Sequence, residues 1–144
     1  MSKPNSFCFI STFNCHNELI GMLLSLSIHH NNATVYGFVD SKTLDLLNNL
    51  IPKIQLNLIV RNTLDKYSNK NRQQMVSEKL WDEFQMQKAN VIEFALLSST
   101  DTLFLDSDIL FLAPITHIDK TKEIGLSPHY VKKSNTDEVG YYNG

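Results

Sequence analysis

The chain has little of what marks secreted, membrane-spanning or nucleic-acid-binding proteins. Cys8 and Cys15 are its only cysteines in 144 residues. Two thiols this close make no disulfide framework, and neither a second pair nor histidines stand at zinc-site spacing. Both are expected to be small buried residues in a reducing compartment. No apolar run approaches the ~18–20 residues of a membrane span, so no membrane partner is expected. The run Phe7-Cys8-Phe9-Ile10, after a polar start, is too short for a signal-peptide core. An excess of one charge is missing too. The formal net charge is −2, and Lys and Arg are scattered rather than striped, which argues against a nucleic-acid partner. Internal repeats and low-complexity segments are absent. What remains is a globular domain, expected in the cytoplasm.

Composition agrees, with 42% apolar and 19% charged residues. A chain of this length predicts one domain and buries about two-thirds of its unfolded surface. Residues 7–11 read as a buried strand. Asn17 is a plausible N-cap for a helix from Glu18 to His30, with the apolar stripe Leu19, Met22, Leu23 and Leu26. Val35 to Val39 reads as a second strand ending at Asp40. Ser41 is expected to cap a helix that Pro52 stops. A third strand, Ile54 to Val60, is followed by a polar loop of weak helical content over 62–74. One long helix, bent in the middle, is expected from Met75 to Leu97. Thr102 to Asp106 reads as the fourth strand and Leu110 to Leu112 as its short extension. Further short strands are expected at Ile124–Ser127 and Val139–Tyr142.

Alternating strands and helices predict an α/β fold, a Rossmann-like doubly wound, mostly parallel sheet. Ligands bind such sheets beyond the carboxyl ends of the strands, where strand order reverses. The residues expected on that rim are Thr12, Phe13 and Asn14, then Asp40 and Ser41, then Asp106 and Asp108. His16 stands near the first strand end, either touching ligand or structural. His29 and His30 at a helix end suit the dipole and are read as structural. Asp137 and Glu138 read as surface charges, and Tyr141-Tyr142 as strand packing.

The stretch Thr102 to Ile115, TLFLDSDILFLAPI, sets two aspartates into an apolar run. Ionised carboxylates are rarely buried without a partner. On a straight strand Asp106 and Asp108 face the same way, while at a strand end the chain can turn and bring Ser107 in. Close carboxylates repel unless a cation sits between them or one is protonated. Oxygen ligands without His or Cys suit Mn²⁺, Mg²⁺ or Ca²⁺, and Mg²⁺ commonly takes one or two carboxylates and completes its shell with water and phosphate. The bland alternative is a polar turn. Lys88 falls within the apolar helix face formed by Trp81, Phe84, Val91, Ile92 and Ala95. It either snorkels to the surface or reaches a buried anion.

Three stretches, FISTFNCHNELIGMLLSLSIHH, LWDEFQMQKANVIEFALLSSTDTLFLDSDILFLAPI and GYYNG, resemble the nucleotide-sugar-binding half of glycosyltransferases with the type A fold, most similar to glycogenin and its family eight relatives. The resemblance implies that residues 1–144 form a donor-binding domain truncated at its C-terminus, with the acceptor-binding part missing. It implies that Thr12, Phe13 and Asn14 hold the nucleobase and that Lys88 contacts the donor. Asp106 and Asp108 would bind Mn²⁺ or Mg²⁺ and the diphosphate, with Ser107 near the ribose. Asn143 would begin a turn approaching the donor sugar. Asp40 either touches base or ribose or merely ends a strand. A third metal ligand, placed further along in the family, has no candidate here. The expected activity is transfer of a sugar from a nucleoside diphosphate, with uracil as the expected base, to an acceptor hydroxyl. The rival readings are a Mg²⁺-dependent phosphohydrolase and a non-catalytic nucleotide-sugar-binding module.

Overall fold

The computed structural model describes residues 3–116, 118 and 121. The strands expected at 124–127 and 139–142, and Asn143, lie outside the described residues. Among the described residues, four parallel strands form one sheet: β1 (Ser6–Ser11), β2 (Ala33–Val39), β3 (Leu56–Asn62) and β4 (Leu103–Phe104). Their spatial order is β3-β2-β1-β4. The chain winds outward from β1 through β2 to β3, then returns to the far side of β1 with β4. The switch in strand order therefore falls between β1 and β4. The described residues thus form an α/β fold with an all-parallel sheet, compatible with the Rossmann-like expectation.

Alternation along the strands builds two cores. Phe7 and Phe9 of β1, with Val35 and Val39 of β2, face α1 (His16–His29) and α2 (Ser41–Leu50). Leu19, Met22, Leu23 and Leu26 of α1 are fully buried there, each burial contributing roughly 1.5–3 kcal/mol. Cys8, Ile10, Tyr36 and Phe38 face the opposite way, onto Val91 and Ala95 of α4 (Trp81–Leu96). Gly37 pairs with Phe9 across the β1–β2 ladder. A Cβ at Gly37 would lie 2.5 Å from the Phe9 ring, so only glycine leaves the ring its place.

Several local expectations are corrected. Asn17 does not cap α1: a 3-10 turn over Phe13–Cys15 runs directly into the helix, and Cys15 stands at the cap position. Asp40, not Ser41, caps α2, accepting from the Thr43 backbone N–H at 3.0 Å. The single helix expected from Met75 to Leu97 is two helices, α3 (Arg72–Ser77) and α4. Asn71 and Gln74 start α3 with a reciprocal capping box. Lys79, at φ 58°, ends it. The Leu80 N–H bonds back to the Met75 carbonyl and the Lys79 N–H to that of Val76, closing a Schellman motif on a non-glycine residue. The expected extension at Leu110 to Leu112 is irregular rather than strand. Among the described residues, no helix is long and apolar enough to cross a membrane.

Candidate functional site

The rim of the sheet is assembled from three strand ends. β4 stops at Phe104, and the Leu105 N–H still reaches the Cys8 carbonyl at 2.8 Å. The next four residues turn, with the Ile109 N–H donating to the Asp106 carbonyl at 3.2 Å. Asp106, Ser107 and Asp108 thus occupy a tight turn, a setting that suits aspartate at its first position. The turn brings Ser107 to the same side as its neighbours, because straight-strand alternation no longer applies. All three line a cavity of about 330 Å³ together with Cys15 and Glu18. Cys15 follows β1 and Glu18 lies in the first turn of α1. The cavity thus opens between the ends of β1 and β4, where strand order reverses and ligands bind open α/β sheets.

The two aspartates are not buried, contrary to the apolar pattern around them. The Asp106 side chain is 60% exposed, and Ile109, Leu110 and Leu112 are exposed as well. The apolar run does not continue as a strand. Phe111 turns back into the core, meeting Phe7 and His30 edge-on while its N–H donates to Ser25 Oγ at 3.1 Å, and Ile115 packs against the same cluster.

Lys88, near the middle of α4, reaches across to this turn. Its Nζ lies 3.0 Å from Asp106 Oδ1 and 5.4 Å from the centre of the Phe104 ring. The anion it meets is therefore a carboxylate of the motif itself. Asp108 makes no ion pair among the described residues. Three carboxylates, Asp106, Asp108 and Glu18, line the cavity, and the Lys88 ammonium stands against one of them. Such an excess of negative charge favours a cation and opposes a bare phosphate.

The remaining expected residues lie beside the cavity rather than in its wall. Thr12 is buried, and its carbonyl accepts from the Cys15 N–H at 3.0 Å. Phe13 stacks on His16 with ring centres 4.4 Å apart, and Lys42 Nζ stands 5.9 Å from its ring. His16 Nδ1 donates to the Phe13 carbonyl at 2.8 Å. Asn14 Nδ2 donates to the Lys70 carbonyl at 3.1 Å, tying this loop to the segment before α3. Asp40 is fully buried. Its carboxylate accepts from Thr43 N–H and Oγ1, from the Phe13 N–H and from Ser68 Oγ. Burial pushes the Asp40 carboxyl up, but the hydrogen bonds from Ser68, Thr43 and Phe13 outweigh it and hold the group below the usual aspartate range.

Cys15 and Glu18 line the cavity without having been marked by their sequence pattern. Cys15, expected to be buried, is exposed because the 3-10 turn carries it outward. Burial of part of its surface, then the charges of Glu18 and Asp108, push its thiol pKa up. Cys8 is buried as expected. Extending the rim rule one helical turn past β1 would have found both wall residues.

The donor set fits a hard divalent cation as a partial shell. Two carboxylates in one turn supply what Mg²⁺ or Mn²⁺ takes when water and phosphate complete the coordination. Among the described residues, no three His, Cys, Asp or Glu side chains are grouped so as to hold an ion unaided. A search against protein-family models, curated proteins and solved structures finds no match to the chain.

Proposed function

We propose that the chain is the donor-binding domain of a metal-dependent glycosyltransferase with the type A fold, binding a nucleoside diphosphate sugar, with UDP as the expected nucleotide. The observation that carries this reading is the position of the Asp106–Ser107–Asp108 turn. It stands at the switch between β1 and β4, in a cavity whose charge suits a dication. The resemblance to family eight enzymes points the same way.

In this reading Asp106 and Asp108 would hold Mn²⁺ or Mg²⁺. Such an ion would supply Lewis-acid stabilisation of the charge on a leaving diphosphate. Lys88 adds a second positive charge to the same oxygens. Ser107 offers a hydroxyl to the ribose from the centre of the turn. The loop of Thr12, Phe13 and Asn14 receives the base, with Asp40 fixing that loop from beneath through the Phe13 N–H. Asn143 remains a donor contact implied by the resemblance alone.

Titration calorimetry of UDP-sugars with and without Mn²⁺, on the wild type and on Asp108→Asn, tests the proposal. Binding that needs Mn²⁺ and weakens at least tenfold in the variant supports it, in line with the loss of a charged ligand contact. Metal-independent binding that the substitution leaves untouched contradicts it. Release of inorganic phosphate without an acceptor would favour a phosphohydrolase. Binding with no sugar transfer or donor hydrolysis at high protein concentration would favour a binding module.

A further inference from the structure

The ion pair between Lys88 and Asp106 joins two groups whose proposed ligands are of opposite charge. Asp106 is assigned a dication and Lys88 a phosphate, yet the two groups hold each other at 3.0 Å. Building on the proposed donor site, we infer that this pair is an exchange device that makes metal and diphosphate bind together rather than singly.

A diphosphate arriving alone meets Asp106, Asp108 and Glu18 around the cavity, and like charges repel it. A dication arriving alone must pull Asp106 from Lys88 and leave an unpaired ammonium beside itself. With both bound, Asp106 and Asp108 would hold the dication and Lys88 would pass from Asp106 to a phosphate oxygen, so each charge would keep a partner. The side chains can make this move without opening the core: Lys88 is 37% exposed and Asp106 60%. An ion pair this open to solvent is weak enough for a ligand to displace.

The exchange differs from simple repulsion between Lys88 and the metal. Repulsion acts with or without nucleotide, so removing it would tighten Mn²⁺ equally in both states. Exchange penalises the metal only when nucleotide is absent. The distinguishing quantity is the coupling, the factor by which UDP tightens Mn²⁺, which equals the factor by which Mn²⁺ tightens UDP.

The test measures Mn²⁺ affinity by electron paramagnetic resonance of the free ion, and UDP affinity by calorimetry, each with and without the other ligand. In Lys88→Met, Mn²⁺ alone should bind about threefold tighter, as loss of a weak competing pair permits. UDP in saturating Mn²⁺ should bind about tenfold weaker, from the lost charged hydrogen bond. The coupling should fall on the order of tenfold or more. In Lys88→Arg the planar guanidinium grips Asp106 more firmly, and Mn²⁺ alone should bind more weakly than to the wild type. Unchanged coupling in Lys88→Met, with Mn²⁺ tighter in both states, would overturn the exchange while leaving the donor site standing. Unaltered Mn²⁺ affinity in both variants would overturn it as well. Failure of the wild type to bind UDP under any metal condition would overturn the donor-site reading, and the exchange with it.

Discussion

The backbone N–H of Phe13 donates to Asp40 Oδ2 at 3.1 Å, joining the end of β1 to the cap of α2. Ser68 Oγ donates to the same oxygen at 2.6 Å, so three segments of the rim are pinned by one buried carboxylate. The candidate site thus rests on Asp40, although Asp40 does not line its cavity.

Asp40→Asn should cost about 1–3 kcal/mol, because an amide cannot accept all four hydrogen bonds and leaves buried donors unmatched. Urea unfolding at neutral pH measures it. The acid dependence supplies a second check. The folded-state pKa is lowered, so the stabilisation is fully present above the unfolded-state value and disappears as pH falls through the folded one. The wild type should therefore lose this stability below about pH 4. Asp40→Asn should show a correspondingly flatter acid limb.

Gly37→Ala should destabilise the sheet by about 1–3 kcal/mol, the usual cost of overpacking. The added methyl meets the fully buried Phe9 ring. Combining it with Phe9→Leu should recover part of the loss relative to the sum of the single changes. A double-mutant cycle in urea reads the coupling.

Lys79→Gly should stabilise the chain by roughly 0.5–1 kcal/mol. Lys79 sits in the left-handed region at φ 58°, which disfavours residues with a Cβ. The midpoint of urea unfolding should rise with its slope unchanged.

Cys15 should be the thiol modified by N-ethylmaleimide in the folded chain, with Cys8 reacting only after unfolding. Because the Cys15 pKa is raised, its reaction should be slow at neutral pH and keep accelerating above the ordinary thiol range. Mn²⁺ with UDP should protect it, since Cys15 shares the cavity wall with Asp106 and Asp108. Peptide mass mapping after timed labelling checks all three points.

The sheet and its rim were legible because strands and helices alternate with strong apolar patterning. The β1–β4 junction followed from the strand-end rule once that order was known. Local signals that compete within a few residues were harder to read. Asp40 and Ser41 are both good caps, and hydrogen bonding to Thr43 decides for Asp40. The break at Lys79 left no glycine or proline to mark it. Apolar residues at 109–112 suggested burial for the aspartates, but only Phe111 found a core to enter. The Lys88–Asp106 contact was half visible. Helical phase placed a lysine on the inward face, and which anion it meets depends on how α4 packs beside β4.

The most direct measurement is paramagnetic broadening of backbone amide signals by substoichiometric Mn²⁺ in the presence of UDP. Amides of Asp106 to Ile109 and Cys15 to Leu19 should broaden first, and Asp108→Asn should abolish the effect. Broadening centred elsewhere, such as on Asp65 or Glu83, or none at all with UDP bound, would contradict it.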